Sequence, residues 1–175
     1  RKHRGKLMNM SGDIRVKTDK KYRNINNDLR NLAVGDMHEL FFLCVCLGYR
    51  AKKMKPLDSN SEERFWSRTI TPEEDACYYA IMLEKNSMDL SSTRDDKLVI
   101  AEMEKYANGG IEILLKDFLN EYCSADYKLD SAYSKELPKA LLYFIREQFW
   151  HAFLFRICIL LCYNCGFNIF RTPDR

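Results

Sequence analysis

The chain has 175 residues, 46% of them apolar and 30% charged, with a net charge of +3 and few Gly or Pro. That length suits one domain with a proper core. The composition excludes long disordered linkers and argues for helices over a turn-rich β sandwich. The charge divides unevenly: residues 1–23 carry nine Lys or Arg against two Asp, a surplus of seven, whereas the remaining 19 bases face 23 acids. The chain therefore reads as a basic N-terminal arm, 1–23, on a mildly acidic helical domain, 24–175. Arg1, Lys2, Arg4 and Lys6 in the arm are candidate phosphate contacts, because each neutralised phosphate releases counterions. The competing reading of the arm is a solvated, frayed terminus.

Residues 12–17 alternate around Ile14 and Val16, which suits a short strand, and residues 18–35 are polar with few anchors. A first helix is predicted from Asp36, paired with Glu39 as a capping box and stopped by Gly48. Its faces are apolar all round, as for a central core helix. The turn that follows holds four cations in six residues: Arg50, Lys52, Lys53 and Lys55. These are the second set of candidate nucleic-acid contacts, against a plain solvated turn. Residues 64–70 suit a second short strand or extended connection. Arg64, Phe65, Trp66 and Arg68 could clamp a strand there, although burial of the two aromatics is the preferred reading.

A second helix begins at Thr71-Pro72 with Glu74 closing the capping box, and Cys77, Tyr78, Ile81 and Met82 are predicted to be buried. A third runs from about 93 to 107, with Leu98, Ala101 and Val99 as the inward candidates, and is stopped by Asn108-Gly109-Gly110. A fourth starts at Ile111 and repeats apolar residues through Leu114, Leu115, Phe118, Leu119 and Tyr122. A polar connection, 123–136, leads to a long apolar C-terminal helical segment, 138–170. The fold class is thus mainly α: a single-domain bundle of about five helices, with room for a short two-stranded element.

Residues 148–170 are very apolar, but Arg156 interrupts a span that would need roughly 20 apolar residues. A helix buried on several sides is the preferred account, and whatever the small body leaves uncovered is expected to face another chain. Phe149, Trp150, Phe153, Phe155, Phe167 and Phe170 are the candidate partner interface, and no membrane is invoked. The chain opens basic, without an apolar run, and its cysteines sit in apolar stretches, so a reducing cytoplasmic setting is expected.

Cys158, Cys162 and Cys165 with His151 invite zinc, but a second ligand pair is missing, and buried structural cysteines are preferred. No nucleophile elbow or phosphate-binding glycine loop occurs. Glu102 and Glu104 stand two apart on a helix and point in different directions. No catalytic residue, metal ligand or cofactor is therefore assigned, and the chain is read as a non-enzyme.

The segment from about 28 to 119 resembles Dnd system-associated protein 4, a family found beside bacterial DNA phosphorothioation systems. The resemblance rests on Leu47-Gly48-Tyr49, on the basic run Lys52 to Leu57, on the Tyr78 to Leu83 helix, and on the run Glu104 to Leu114 with Tyr106-Ala107-Asn108-Gly109-Gly110 at its centre. It covers roughly half the chain and carries no active-site residues. It implies a phage-defence setting, with a larger ATPase or nuclease subunit as partner and DNA as the target. The leading expectation is a non-catalytic accessory or scaffolding subunit of a DNA-targeting defence complex. The alternative is a DNA-binding module using the arm and the 50–55 turn, and a divergent nuclease is the third reading.

Overall fold

The computed structural model describes residues 10, 13–124 and 126–149. The elements in chain order are strand β1 (Arg15–Asp19), helix α1 (Arg23–Leu29), helix α2 (Met37–Arg50), strand β2 (Ser61–Trp66), helix α3 (Pro72–Lys85), helix α4 (Asp96–Asp117) and helix α5 (137–149). Five helices and one two-stranded antiparallel sheet make the fold mainly α. The chain divides into two compact units, 1–135 and 136–175. In the second unit the described part is α5, where Leu137, Leu141 and Phe144 are buried at helical spacing and Leu142 and Tyr143 are exposed.

The first unit is built around α2 and α4. Two pairs of positions show that they run antiparallel in very close contact: Gly48 lies on the Tyr106 carbonyl and Gly110 lies on the Cys44 carbonyl. A Cβ on Gly48 would stand 2.1 Å from the Tyr106 oxygen, and one on Gly110 would stand 1.8 Å from the Cys44 oxygen. Only a residue without Cβ lets the two backbones meet at this distance.

This seam corrects two sequence expectations. Gly48 does not stop α2, and Asn108-Gly109-Gly110 does not divide a third helix from a fourth. Helix α4 runs unbroken through that triplet for 22 residues. The stop of α2 falls three residues after Gly48 instead. Lys52 N–H donates to Tyr49 O (3.0 Å) and Lys53 N–H to Gly48 O (2.8 Å), with Lys52 at φ +50. That is a Schellman closure with lysine in the left-handed position usually given to glycine. Helix α3 ends the same way on Ser87 (φ +53), through Ser87 N–H to Glu84 O and Met88 N–H to Leu83 O.

The remaining elements cover this pair. The segment expected to be polar and poorly anchored contains α1, which buries Ile25 and Leu29 one turn apart. The predicted strand at 12–17 forms at 15–19 and pairs with β2, Val16 opposite Phe65, with an irregularity after Val16. Helix α3 packs by side chains: Tyr78 is fully buried, with ring centroids 6.2 Å from Phe41 and 5.9 Å from Phe42, both edge-on. Its capping box forms as predicted, Glu74 N–H donating to Thr71 Oγ1 (3.3 Å) and Thr71 N–H to Glu74 Oε2 (2.8 Å). Tyr78, Ile81 and Met82 are buried as expected, but Cys77 is exposed. On α4, Val99 is buried and Leu98 is 57% exposed, because the helix is in phase with Val99, Met103 and Tyr106 rather than with Leu98. Ala101 is half-buried. Asp36 is the residue before α2, yet its side chain makes no capping bond. No single described helix is long and apolar enough to cross a membrane.

Candidate functional site

The basic turn and the Tyr106–Glu112 run, 50 residues apart in sequence, form one structure. Gly109 gives room for the Lys53 carbonyl, which a Cβ there would meet at 2.1 Å. Two residues on, Lys55 N–H donates to Lys105 O (3.0 Å), so the chain beyond α2 is tied to α4 by backbone. Asn108, on the next position of α4, is buried. Its Nδ2 donates to Pro56 O (3.0 Å), Lys55 O (3.4 Å) and Asp19 Oδ2 (3.1 Å). Asp19 is also buried, and its Oδ1 accepts from Asp58 N–H (2.7 Å) at the far end of the same segment.

One turn further along α4, Glu112 takes the lysine side chains. Lys55 and Lys53 both pair with it, Lys53 at 3.0 Å, and Tyr22 Oη donates to it at 3.2 Å. Burial works to raise the Glu112 pKa, but the hydrogen bonds and charges of Lys55 and Lys53 outweigh it and hold the carboxyl at about 2. Burial, followed by the Glu112 charge and hydrogen bond, raises the Tyr22 hydroxyl above its ordinary range. The cations of the turn are therefore of two kinds. Lys53 and Lys55 face a partner on α4, whereas Arg50 and Lys52 are exposed at the end of α2.

A small cavity of about 20 Å³ adjoins this lock, lined by Thr18, Asn26, Glu104 and Asn108 among apolar neighbours. The Asn108 Oδ1 atom is buried and has no partner among the described residues. The cavity has room for about one water molecule. Glu104 accepts from Lys17 N–H (2.8 Å), and its burial pushes the carboxyl up to about 7 against that one bond.

The acids at the start of α4 and along it do not meet. Asp95 accepts from Lys97 N–H at the start of α4 (2.9 Å), Glu102 pairs with Lys85 and Lys105, and Glu104 faces β1. Among the described residues, no three His, Cys, Asp or Glu side chains come together as a metal site would require. Of the aromatic and basic residues on β2, Phe65 is buried against Phe41 (5.5 Å, edge-on), and Trp66 carries the Arg15 guanidinium over its ring at 3.5 Å. Arg64 bonds to Glu62 and Asn27, and Arg68 lies 5.4 Å from the Trp66 ring centre.

Of the sequence-predicted contacts, Lys53 and Lys55 are brought together at Glu112, Arg50 and Lys52 are exposed at the end of α2, and Phe149 is half-buried on α5. Arg1, Lys2, Arg4, Lys6, Trp150, Phe153, Phe155, Phe167 and Phe170 lie outside the described residues, as do His151 and the cysteines at 158, 162 and 165. Sequence reasoning missed Asn108 and Glu112 as the lock of the turn. Their signal was the i, i+4 spacing of two polar residues on a helix otherwise buried along that stretch. No family model, curated protein or solved structure matches the chain.

Proposed function

We propose that this chain is a non-catalytic accessory subunit of a bacterial anti-phage, DNA-targeting complex, cytoplasmic and bound to a larger ATPase or nuclease subunit. One observation carries the reading. The polar members of its most distinctive run, Asn108 and Glu112, are both engaged in holding a surface turn in place. Asn108 is buried beneath that turn, and Glu112 is paired with two of its lysines. Here the run serves architecture, and its product is a fixed shape offered to another molecule. Purifying the intact complex from its native host, with the products of adjacent genes, tests this. Stoichiometric recovery of an ATPase or nuclease is expected, and a partner-free monomer would refute it.

A second reading, a DNA-binding module, is favoured by the exposure of Arg50 and Lys52 on that fixed turn. Each phosphate contact contributes about −0.9 to the slope of log affinity against log salt. Replacing Arg50 and Lys52 with Gln should lower the slope by about 2 if both touch phosphate. An unchanged slope removes the turn from any DNA interface and leaves the subunit reading standing.

A further inference from the structure

The outer face of β1 joins two basic segments that the chain order keeps apart. Val16 is fully buried, and its neighbours Arg15 and Lys17 are exposed on the opposite side of the strand. Residues two apart on a strand stand about 6.6 Å from each other. The next position of that row, Asp19, is buried, because the end of the 50–58 segment is bonded to it through Asp58 N–H. Lys21 lies 3.5 Å from the other oxygen of that carboxylate and adjoins Lys55. The row on β1 therefore leads directly to the locked turn.

Arg68 extends the row at its other end. The Arg15 guanidinium lies 3.5 Å over the Trp66 ring, and that of Arg68 lies 5.4 Å from the same ring centre. A guanidinium stacked on an indole is oriented by the ring and keeps its N–H donors at its edge. Arg15 has one ion-pair partner among the described residues, Glu63, 3.5 Å from Nε on a side chain that is itself 54% exposed. Among the described residues no acid stands within ion-pair distance of the Lys17 or Arg68 side chain. Two carboxylates border the row: Glu63, opposite Lys17 in the register, and Glu104, which accepts from the Lys17 N–H. Glu63 is the exposed one.

We propose that this row, from Arg68 through Arg15 and Lys17 to the locked turn, is a track for the phosphodiester backbone of one nucleic-acid strand. It deepens the DNA-binding reading above and rests on it for the class of partner. A nucleic-acid backbone carries a charge at every step, at a spacing close to that of alternate residues on a β-strand, and Arg15 offers a fork already oriented for a phosphate. The turn with Arg50 and Lys52 is a point of contact by itself. The row gives it a direction, along β1 toward the N-terminal end of that strand.

The full chain is titrated against labelled oligothymidine and against a labelled duplex, by fluorescence anisotropy at several salt concentrations. Arg15→Gln, Lys17→Gln and Arg68→Gln together should lower the slope of log affinity against log salt by about 2 on the single strand and about 2.7 on the duplex. Lys17→Gln with Arg68→Gln leaves the Arg15–Trp66 stack in place and should give about two-thirds of that change. Arg94→Gln with Lys97→Gln, exposed cations beside the start of α4, should leave the slope unchanged. All of these side chains are exposed, and an unshifted thermal midpoint verifies that the variants keep the fold. Tighter binding of the oligothymidine identifies a free single strand as the occupant, and tighter binding of the duplex identifies one strand of a double helix. Nucleic-acid binding with an unaltered slope in the triple variant overturns the track and leaves the DNA-binding reading standing. Equal affinity for polyglutamate, or binding of neither nucleic acid, overturns both.

Discussion

The seam between α2 and α4 and the flank made by α3 bury their helices by opposite means. At the seam, two backbones touch through Gly48 and Gly110, with no side chain between them at those points. On the flank, Tyr78 stands between α3 and α2 and meets Phe41 and Phe42 with ring edges. A backbone cannot move aside for an added methyl group, whereas packed rings can shift slightly or lose an atom. The two surfaces should therefore respond very differently to changes of similar chemical size.

The largest expected effect is at the seam. Gly110→Ala would force Cβ into the Cys44 carbonyl and should cost about 4 kcal/mol or more, enough to abolish cooperative thermal unfolding. A normally folded alanine variant would break the comparison. The next effect lies on α4 at Glu104. Its carboxyl titrates at about 7 when folded, against an ordinary value near 4.5. Between those values the folded chain holds a proton that the unfolded chain has lost, so this group makes stability fall as pH rises from about 4.5 to about 7. Glu104→Gln should remove that slope and raise stability at pH 8 by roughly 1–2 kcal/mol in denaturant titrations.

On the flank, Thr71→Ala removes one half of the capping box and should cost about 1 kcal/mol by the same measurement. At the end of α2, Lys52→Gly relieves a lysine at φ +50 and should stabilise by about 0.5–1 kcal/mol, a gain in the same chain where glycine replacement at the seam is ruinous. The smallest effect is expected from Tyr78→Phe. The hydroxyl is buried and has no partner among the described residues, so its loss should shift the thermal midpoint by no more than the equivalent of about 1 kcal/mol. A large loss would reveal a partner for that oxygen and draw the flank closer to the seam in character.

These contrasts also mark how far the sequence could be read. The start of α3 was legible because a capping box is local: Thr71, Pro72 and Glu74 contain all of its parts. The glycines misled because a glycine that ends a helix and one that admits a neighbouring backbone look alike until the neighbour is known. Asn108-Gly109-Gly110 has the composition of a helix stop, and the Cys44 and Lys53 carbonyls that give it another purpose lie more than fifty residues away. Helix α1 was hidden by its asparagines, since two anchors, Ile25 and Leu29, carry its burial. Of the polar groups, the cations of the turn were visible as a cluster, but their division between Lys53 and Lys55 on one side and Arg50 and Lys52 on the other depends on Glu112. The His38–Glu74 pair joins residues 36 apart through the packing of two helices, and a box glutamate gives no hint of a second acceptor role.

The way the 50–57 segment is tied down separates its outline from its chemistry. Its course is set by main-chain atoms: the Lys53 carbonyl on Gly109, the Lys55 amide on Lys105, and the Lys55 and Pro56 carbonyls on Asn108. Side chains at 50 and 52 take no part in those ties. A change of charge at 50 or 52 alters what the loop attracts while the main-chain ties keep its contour, as a mould keeps its form whatever is cast in it.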